Sequence, residues 1–293
     1  MFERILVPVD FSEQSRSAFG HGALFASAFG GALELVHVVE HVVHSHPPFW
    51  IGEGALAGEL HRQGLAQAEL HLKQLLPTLP VPPGTRVGTR VLSGPLPGAL
   101  VDYAEESSAS LIVVSTHGRT GFSRWLMGSV SERLLRQAPC PVLVARGGSE
   151  AEHPSIKHLL VAVDLSEHSH RALAAAGQIA DKLGATVEVF YVWAAPYYGE
   201  GVTPAGLFER IRESARAELD EFVGQAQLPS GLALERTIVS GTATAKITER
   251  LHDRAPDLLV LGTHGHGGFK RMVLGSVAEA TARYASVATL VIP

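Results

Sequence analysis

Two short stretches hold the residues best placed for chemistry. GTHGHGGFKRMVLGS runs from Gly262 to Ser276, and STHGRTGFSRWLMGS runs from Ser115 to Ser129. The first has the spacing Gly262-x2-Gly265-x9-Gly275-Ser276. The second keeps Gly118, Gly128 and Ser129 at the same intervals but opens on Ser115. Each stretch starts where a short apolar run ends and finishes where a helix begins. Glycines at such a place remove Cβ atoms, so the backbone can approach a ligand closely. The N–H groups of Gly275, Ser276 and Val277 open a helix and carry its positive dipole end, with the Ser276 hydroxyl as a further donor. The chemistry to expect is anion binding, above all of phosphate. The plainer alternative is a tight crossover closed by an ordinary N-cap serine.

Other chemistries find less support. There is no G-x-x-x-x-G-K-[ST] loop, no G-x-G-x-x-G after the first apolar run and no G-x-S-x-G elbow. HVVEH, residues 37–41, has the H-x-x-E-H spelling of a zinc protease. That motif needs a helix, whereas a continuing strand would hold its two imidazoles about 13 Å apart. His37, His41, His44 and His46 could together capture zinc or nickel, or could be surface histidines in a chain that has 15. No metal ligand is assigned. Cys140 lies between Pro139 and Pro141 at the start of an apolar run, where a buried structural thiol is expected rather than a nucleophile. His117 and His264 brace the glycine turns or touch a ligand. Arg119, and His266 when protonated, screen phosphate charge or face solvent.

The elements that must position these turns are written twice. ILVPVDFSE (residues 5–13) aligns with LLVAVDLSE (159–167), which places Asp10 and Asp164 at an offset of 154. His37 pairs with Tyr191 at that offset. Further on, Gly94 pairs with Gly241 and Ser115 with Gly262 at an offset of 147, so copy one holds seven extra residues (154 − 147 = 7). Their expected place is around HVVHSHPPFWIGEG, and residues 42–54 are read as a loop with no counterpart of equal length. In copy one, strands are expected at residues 5–9, 33–39, 86–92, 111–114 and 141–145. Helices are expected from an N-cap at Ser12 to Phe29, and over 55–76, 98–106 and 129–137. Copy two repeats the strands at 159–163, 187–193, 234–239, 258–261 and 289–292. Strands alternating with helices predict a parallel sheet with helices on both faces, binding ligands at the carboxyl ends of its strands. Asp10, Val38, Gly94 and Ser115 all fall there.

Composition agrees. The 293 residues, 46% hydrophobic and 18% charged, are enough for two domains. These are expected at residues 1–147 and 156–293, with 148–155 as a polar linker. A formal charge of −5 gives no support for nucleic-acid binding, and no apolar run approaches the roughly 18 residues of a membrane span. One cysteine excludes an intramolecular disulfide framework. The start, MFERILVPVDF, lacks the basic and apolar regions of a signal peptide. A soluble cytoplasmic protein is expected.

The G-x2-G-x9-G-[ST] turn, preceded by V-D-x-S at the end of the first apolar run, resembles the universal stress protein family. The resemblance covers residues 5–144 and again 159–292, as in a tandem member. It implies an α/β fold of two five-stranded parallel-sheet sandwiches of Rossmann-like type, pairing through their last strands as an internal pseudo-dimer, or a homodimer. It also implies a pocket for ATP, with Mg²⁺, in each half. In copy two Ala162, Val163 and Asp164 would meet adenine or ribose and Val192 would line the base. Leu261 and Gly262 would flank the adenosine, while Gly265, Gly275, Ser276 and Val277 would hold phosphates. The matching positions in copy one are Pro8, Val9, Asp10, Val38, Val114, Ser115, Gly118, Gly128, Ser129 and Val130. Asp10 and Asp164 have turn bracing as an equal alternative. The departure at Ser115 adds a Cβ and a hydroxyl where ribose should pass. The implied role is regulatory ATP binding in a stress response, with unidentified protein partners. The alternatives are a slow ATPase, or self-phosphorylation on Ser129 or Ser276, and a nucleotide-independent interaction module that uses residues 42–54.

Overall fold

The computed structural model describes residues 1–40, 53–116, 127–146, 153–193, 206–263 and 274–293, with only the backbone at 53–57. The chain forms two compact units, Met1–Pro154 and Ser155–Pro293. The first contains β1 (Arg4–Pro8), α1 (Gln14–Phe29), β2 (Ala32–Val39), α2 (Glu53–Leu75), β3 (Arg86–Ser93), α3 (Gly98–Glu106), β4 (Leu111–Ser115), α4 (Ser129–Gln137) and β5 (Val142–Ala145). The second contains β6 (His158–Val163), α5 (Glu167–Leu183), β7 (Thr186–Trp193), α6 (Leu207–Gln225), β8 (Leu234–Ser240), α7 (Ala243–Arg254), β9 (Leu258–Gly262), α8 (Ser276–Tyr284) and β10 (Ala288–Ile292).

The apolar runs become central strands because both sheet faces are covered. Ile5, Leu6 and Val7 of β1 are buried, as are Leu159, Leu160 and Val161 of β6. In the first unit β1 pairs in parallel with β2 on one side and β4 on the other. β3 extends the sheet beyond β2, and β5 extends it beyond β4. The order is β3-β2-β1-β4-β5, and the second unit repeats it as β8-β7-β6-β9-β10. The chain therefore leaves β1 in one direction for β2 and later returns on the other side for β4. A crevice opens at that switch point, outside the carboxyl ends of the two strands.

Two expectations need correction. Ser12 does not cap α1: the residue before the helix is Glu13, in helical conformation and without a side-chain cap. In copy two Ser166 does cap α5, accepting the Ser169 N–H at 3.3 Å. The seven extra residues do not lengthen the connection around residues 42–54. From β2 to α2 the chain spends residues 40–52, and from β7 to α6 residues 194–206, which is equal length. The excess lies further on. α2 has 23 residues against 19 in α6, its exit is two residues longer, and β3 is one residue longer than β8. An added helical turn has the same composition as the helix it extends, so composition pointed to the Pro- and Gly-containing stretch instead.

Helix α1 also buries a histidine. His21 is 4% exposed and its Nδ1–H donates to the Ser17 carbonyl at 3.0 Å. Burial pushes its pKa below the ordinary 6.5, more than that hydrogen bond raises it. The unfolded chain therefore takes up this proton more readily than the folded one. The resulting stability is complete above the unfolded pKa and falls as the pH drops towards the folded value. Urea unfolding followed from about pH 7.5 to about pH 5.5 should show a stability loss on acidification. His21→Ala, the residue copy two has at Ala175, should flatten that slope.

Candidate functional site

At the end of β1, Pro8 and Val9 lead to Asp10, and the Val9 N–H still donates to the Val36 carbonyl of β2 at 2.9 Å. One Asp10 oxygen, Oδ1, accepts the Ser12 N–H at 3.0 Å and the Ser12 and Ser15 hydroxyls, each at 2.5 Å. In copy two Asp164 Oδ1 accepts the Ser166 N–H at 3.1 Å and its hydroxyl at 2.6 Å. Both aspartates thus brace the turn into the first helix. Between aspartate and serine the turn needs a left-handed residue, Phe11 at φ 63° and Leu165 at φ 65°. For a bulky residue this costs about 1–2 kcal/mol.

Ser115 and Gly262 both lie in strands, and neither has positive φ. Glycine at 262 answers to space. A Cβ there would lie 2.8 Å from the His168 carbonyl carbon and 3.0 Å from the Ser169 nitrogen, both backbone atoms of α5. Copy one carries that Cβ at Ser115, and its helix opening differs. α1 starts one repeat position later than α5, and its first hydrogen bonds, Ser15 N–H to Ser12 O and Arg16 N–H to Glu13 O, are of the tighter i+3 kind. The Ser12 hydroxyl, which would be the cap, instead donates to Asp10 Oδ1.

The other side of the crevice is the start of α4. Gly128 precedes it at φ −68°, ψ 154°, without a side-chain cap. Its N–H is not available to a ligand, because it donates to the Thr116 carbonyl at 2.7 Å. Gly275 does the same with Thr263 at 2.7 Å. This corrects the expectation that Gly275 offers its N–H: closing the turn onto the strand end consumes it. The first helical N–H groups, at Ser129 and Val130 or at Ser276 and Val277, have no acceptor within the helix and point along its positive end. Ser131 fastens α4 to the strand by donating to the Ser115 carbonyl at 2.8 Å.

In copy one these parts surround a cleft of about 630 Å³, within the range of small-molecule sites. Pro8, Val9, Asp10, Val38, Val114, Ser115, Gly128, Ser129 and Val130 all line it. Gly118 lies outside the described residues, as do Arg119, His117, His41, His44 and His46. In copy two Ala162 and Val163 end β6, with Asp164 next in the chain, and Val192 is on β7. Leu261 and Gly262 end β9, and Gly275, Ser276 and Val277 open α8. Gly265, His264 and His266 lie outside the described residues.

The sequence reading missed the outer wall. Phe11, His37 and, from α2, Gly64, Gln67, Ala68 and His71 also line the cleft. The small residues Gly64 and Ala68, four apart on one helix face, were the available signal. His37 sits within β2 and its Nδ1–H donates to the Val9 carbonyl at 2.7 Å, tying β2 to the end of β1. Among the described lining residues there is no lysine or arginine. Cys140 is buried, which pushes its thiol up to about 12 and leaves it inert as a nucleophile.

The universal stress protein family model matches residues 1–146 and again 155–293. A universal stress protein of Mycolicibacterium smegmatis is 30% identical over 292 residues, covering 98% of this chain and 96% of the relative. One from Mycobacterium tuberculosis is 30% identical over 296 residues, with the same coverage. Among solved structures, a universal stress protein from Archaeoglobus fulgidus superimposes with a TM-score of 0.65 at 21% identity, over 99% of this chain and 97% of that one. A putative universal stress protein from Pseudomonas aeruginosa reaches 0.67 at 18% identity, over 99% and 93%. No helix among the described residues is long and apolar enough to cross a membrane. Two matches to one family model, on two units of one strand order, make this chain a tandem member of the universal stress protein family.

Proposed function

We propose that the chain binds adenine nucleotide, ATP with Mg²⁺, and uses it as a regulatory ligand in a cytoplasmic stress response. The observation that carries this reading is the cleft of copy one, which joins an apolar lining to an uncapped helix start. Both size and donors fit. The volume suits a nucleotide, Val9 and Val38 offer apolar surface for a base, and the N–H groups of Ser129 and Val130 suit phosphate oxygens. The Ser129 hydroxyl would add a donor to phosphate or a ligand to Mg²⁺. Bound nucleotide supplies a negatively charged phosphate chain that the helix start can hold. Among the described lining residues there is no lysine or arginine to stabilise charge developing on a transferred phosphoryl group. Hydrolysis near background is therefore expected, and the nucleotide acts by shifting conformation or partner choice.

The test is nucleotide content. Freshly purified protein is denatured, the released small molecules are separated by chromatography, and adenine nucleotide is counted per chain. Near-integral ATP is the expected result. Two per chain would mean that both halves bind. No nucleotide, and none taken up when ATP is added back, would overturn the proposal, as would several turnovers per second by pure protein.

A further inference from the structure

We propose that Phe11 reads the base in the amino-terminal cleft. With His37 and His71 it forms a wall of rings against which a purine stacks in preference to a pyrimidine. This rests on the nucleotide-binding reading above and adds a specificity-determining residue to it. The Phe11 ring centroid lies 4.5 Å from that of His37, tilted by 39°, and 5.3 Å from that of His71, edge to face. All three rings line the cleft. They come from the turn after β1, from β2 and from α2, whereas the helix start that suits phosphate follows β4. The cleft therefore has an aromatic end on the β2 side, with the Phe11 ring at its centre, and an anion end on the β4 side.

The turn fixes how the side chain of residue 11 is presented. Both copies hold this position in the left-handed region, at nearly the same φ, through an aspartate that grips the serine two residues on. The conformation thus belongs to the turn, while the side chain it presents differs between copies. Copy one presents a ring and copy two Leu165. At the place of His37, copy two has Tyr191. Stacking on aromatic side chains rewards the larger π-face, so a purine gains more than a pyrimidine.

The experiment uses the full chain carrying Gly275→Asp, so that only the amino-terminal site reports. Calorimetric titrations compare ATP, CTP and tripolyphosphate, the last being a base-free probe. ATP should bind about fivefold or more tighter than CTP. Phe11→Leu keeps an apolar residue that copy two already accommodates at the same φ. It should weaken ATP about fivefold to tenfold, bring ATP and CTP together, and leave tripolyphosphate unchanged. Phe11→Tyr should keep the purine preference. Normal ATP binding with an unaltered ATP-to-CTP ratio in Phe11→Leu would overturn the inference while leaving nucleotide binding intact. Equal weakening of tripolyphosphate would also overturn it, because the residue would then act on the whole site. Failure of the parent chain to bind ATP at all would remove the nucleotide reading and this inference together.

Discussion

Gly128→Asp should empty the amino-terminal cleft of nucleotide without unfolding the protein. Residue 128 is the N-cap of α4, at φ −68° and ψ 154°, which any residue can adopt. Aspartate is among the best N-cap residues, and its carboxylate would accept the N–H groups that otherwise await a phosphate. A Cβ there would lie 3.1 Å from the Thr116 carbonyl oxygen, which must give by a few tenths of an ångström to admit it. Stability should thus stay within about 1 kcal/mol of the parent chain. Nucleotide affinity should fall about 100-fold or more, since an anion would meet a fixed negative charge in place of two donors. Titration calorimetry beside thermal unfolding checks both halves of the statement. Retained affinity would mean that phosphate does not sit at this helix start.

The second large effect concerns Gly262. Gly262→Ser should destabilise the carboxyl-terminal unit by about 1–3 kcal/mol, because its Cβ would press on the backbone of α5 rather than on a movable side chain. The expected relief is a retreat of the α5 start towards the form α1 already has. The Ser166 cap would then be lost, at a cost of about 1 kcal/mol. Urea unfolding would report the loss, and amide exchange at residues 167–170 would locate it. Unchanged exchange there would mean that the strand end moved instead.

The periodic, local features were legible in the chain. Short apolar runs bounded by turns gave strand positions within a residue or two, because burial on both faces leaves its mark in consecutive residues. The repeat gave the doubling, since Asp10 and Asp164 sit in near-identical nonapeptides. Positions along the β1, β2 and β4 ends could be named because a parallel sheet gathers them at one edge whatever the loops do. Other features depend on contacts distant in sequence. Whether residue 262 can carry a side chain is decided by helix backbone about a hundred residues away, at His168 and Ser169. Whether the N–H of Gly128 or Gly275 is available depends on a carbonyl across the turn. The walls from Phe11, His37 and His71 come together only when β1, β2 and α2 pack.

The sequence by itself determined that this chain is two copies of one α/β unit, each with a glycine-spaced helix start after its fourth strand. Tertiary structure alone decided what those differences do: which helix start is capped, which backbone Gly262 makes room for, and which rings face the cleft. The division has a physical reason. Strand and turn patterns are set by neighbours a few residues apart, whereas clearance and hydrogen-bond satisfaction depend on atoms that only the packed fold brings within about 3 Å.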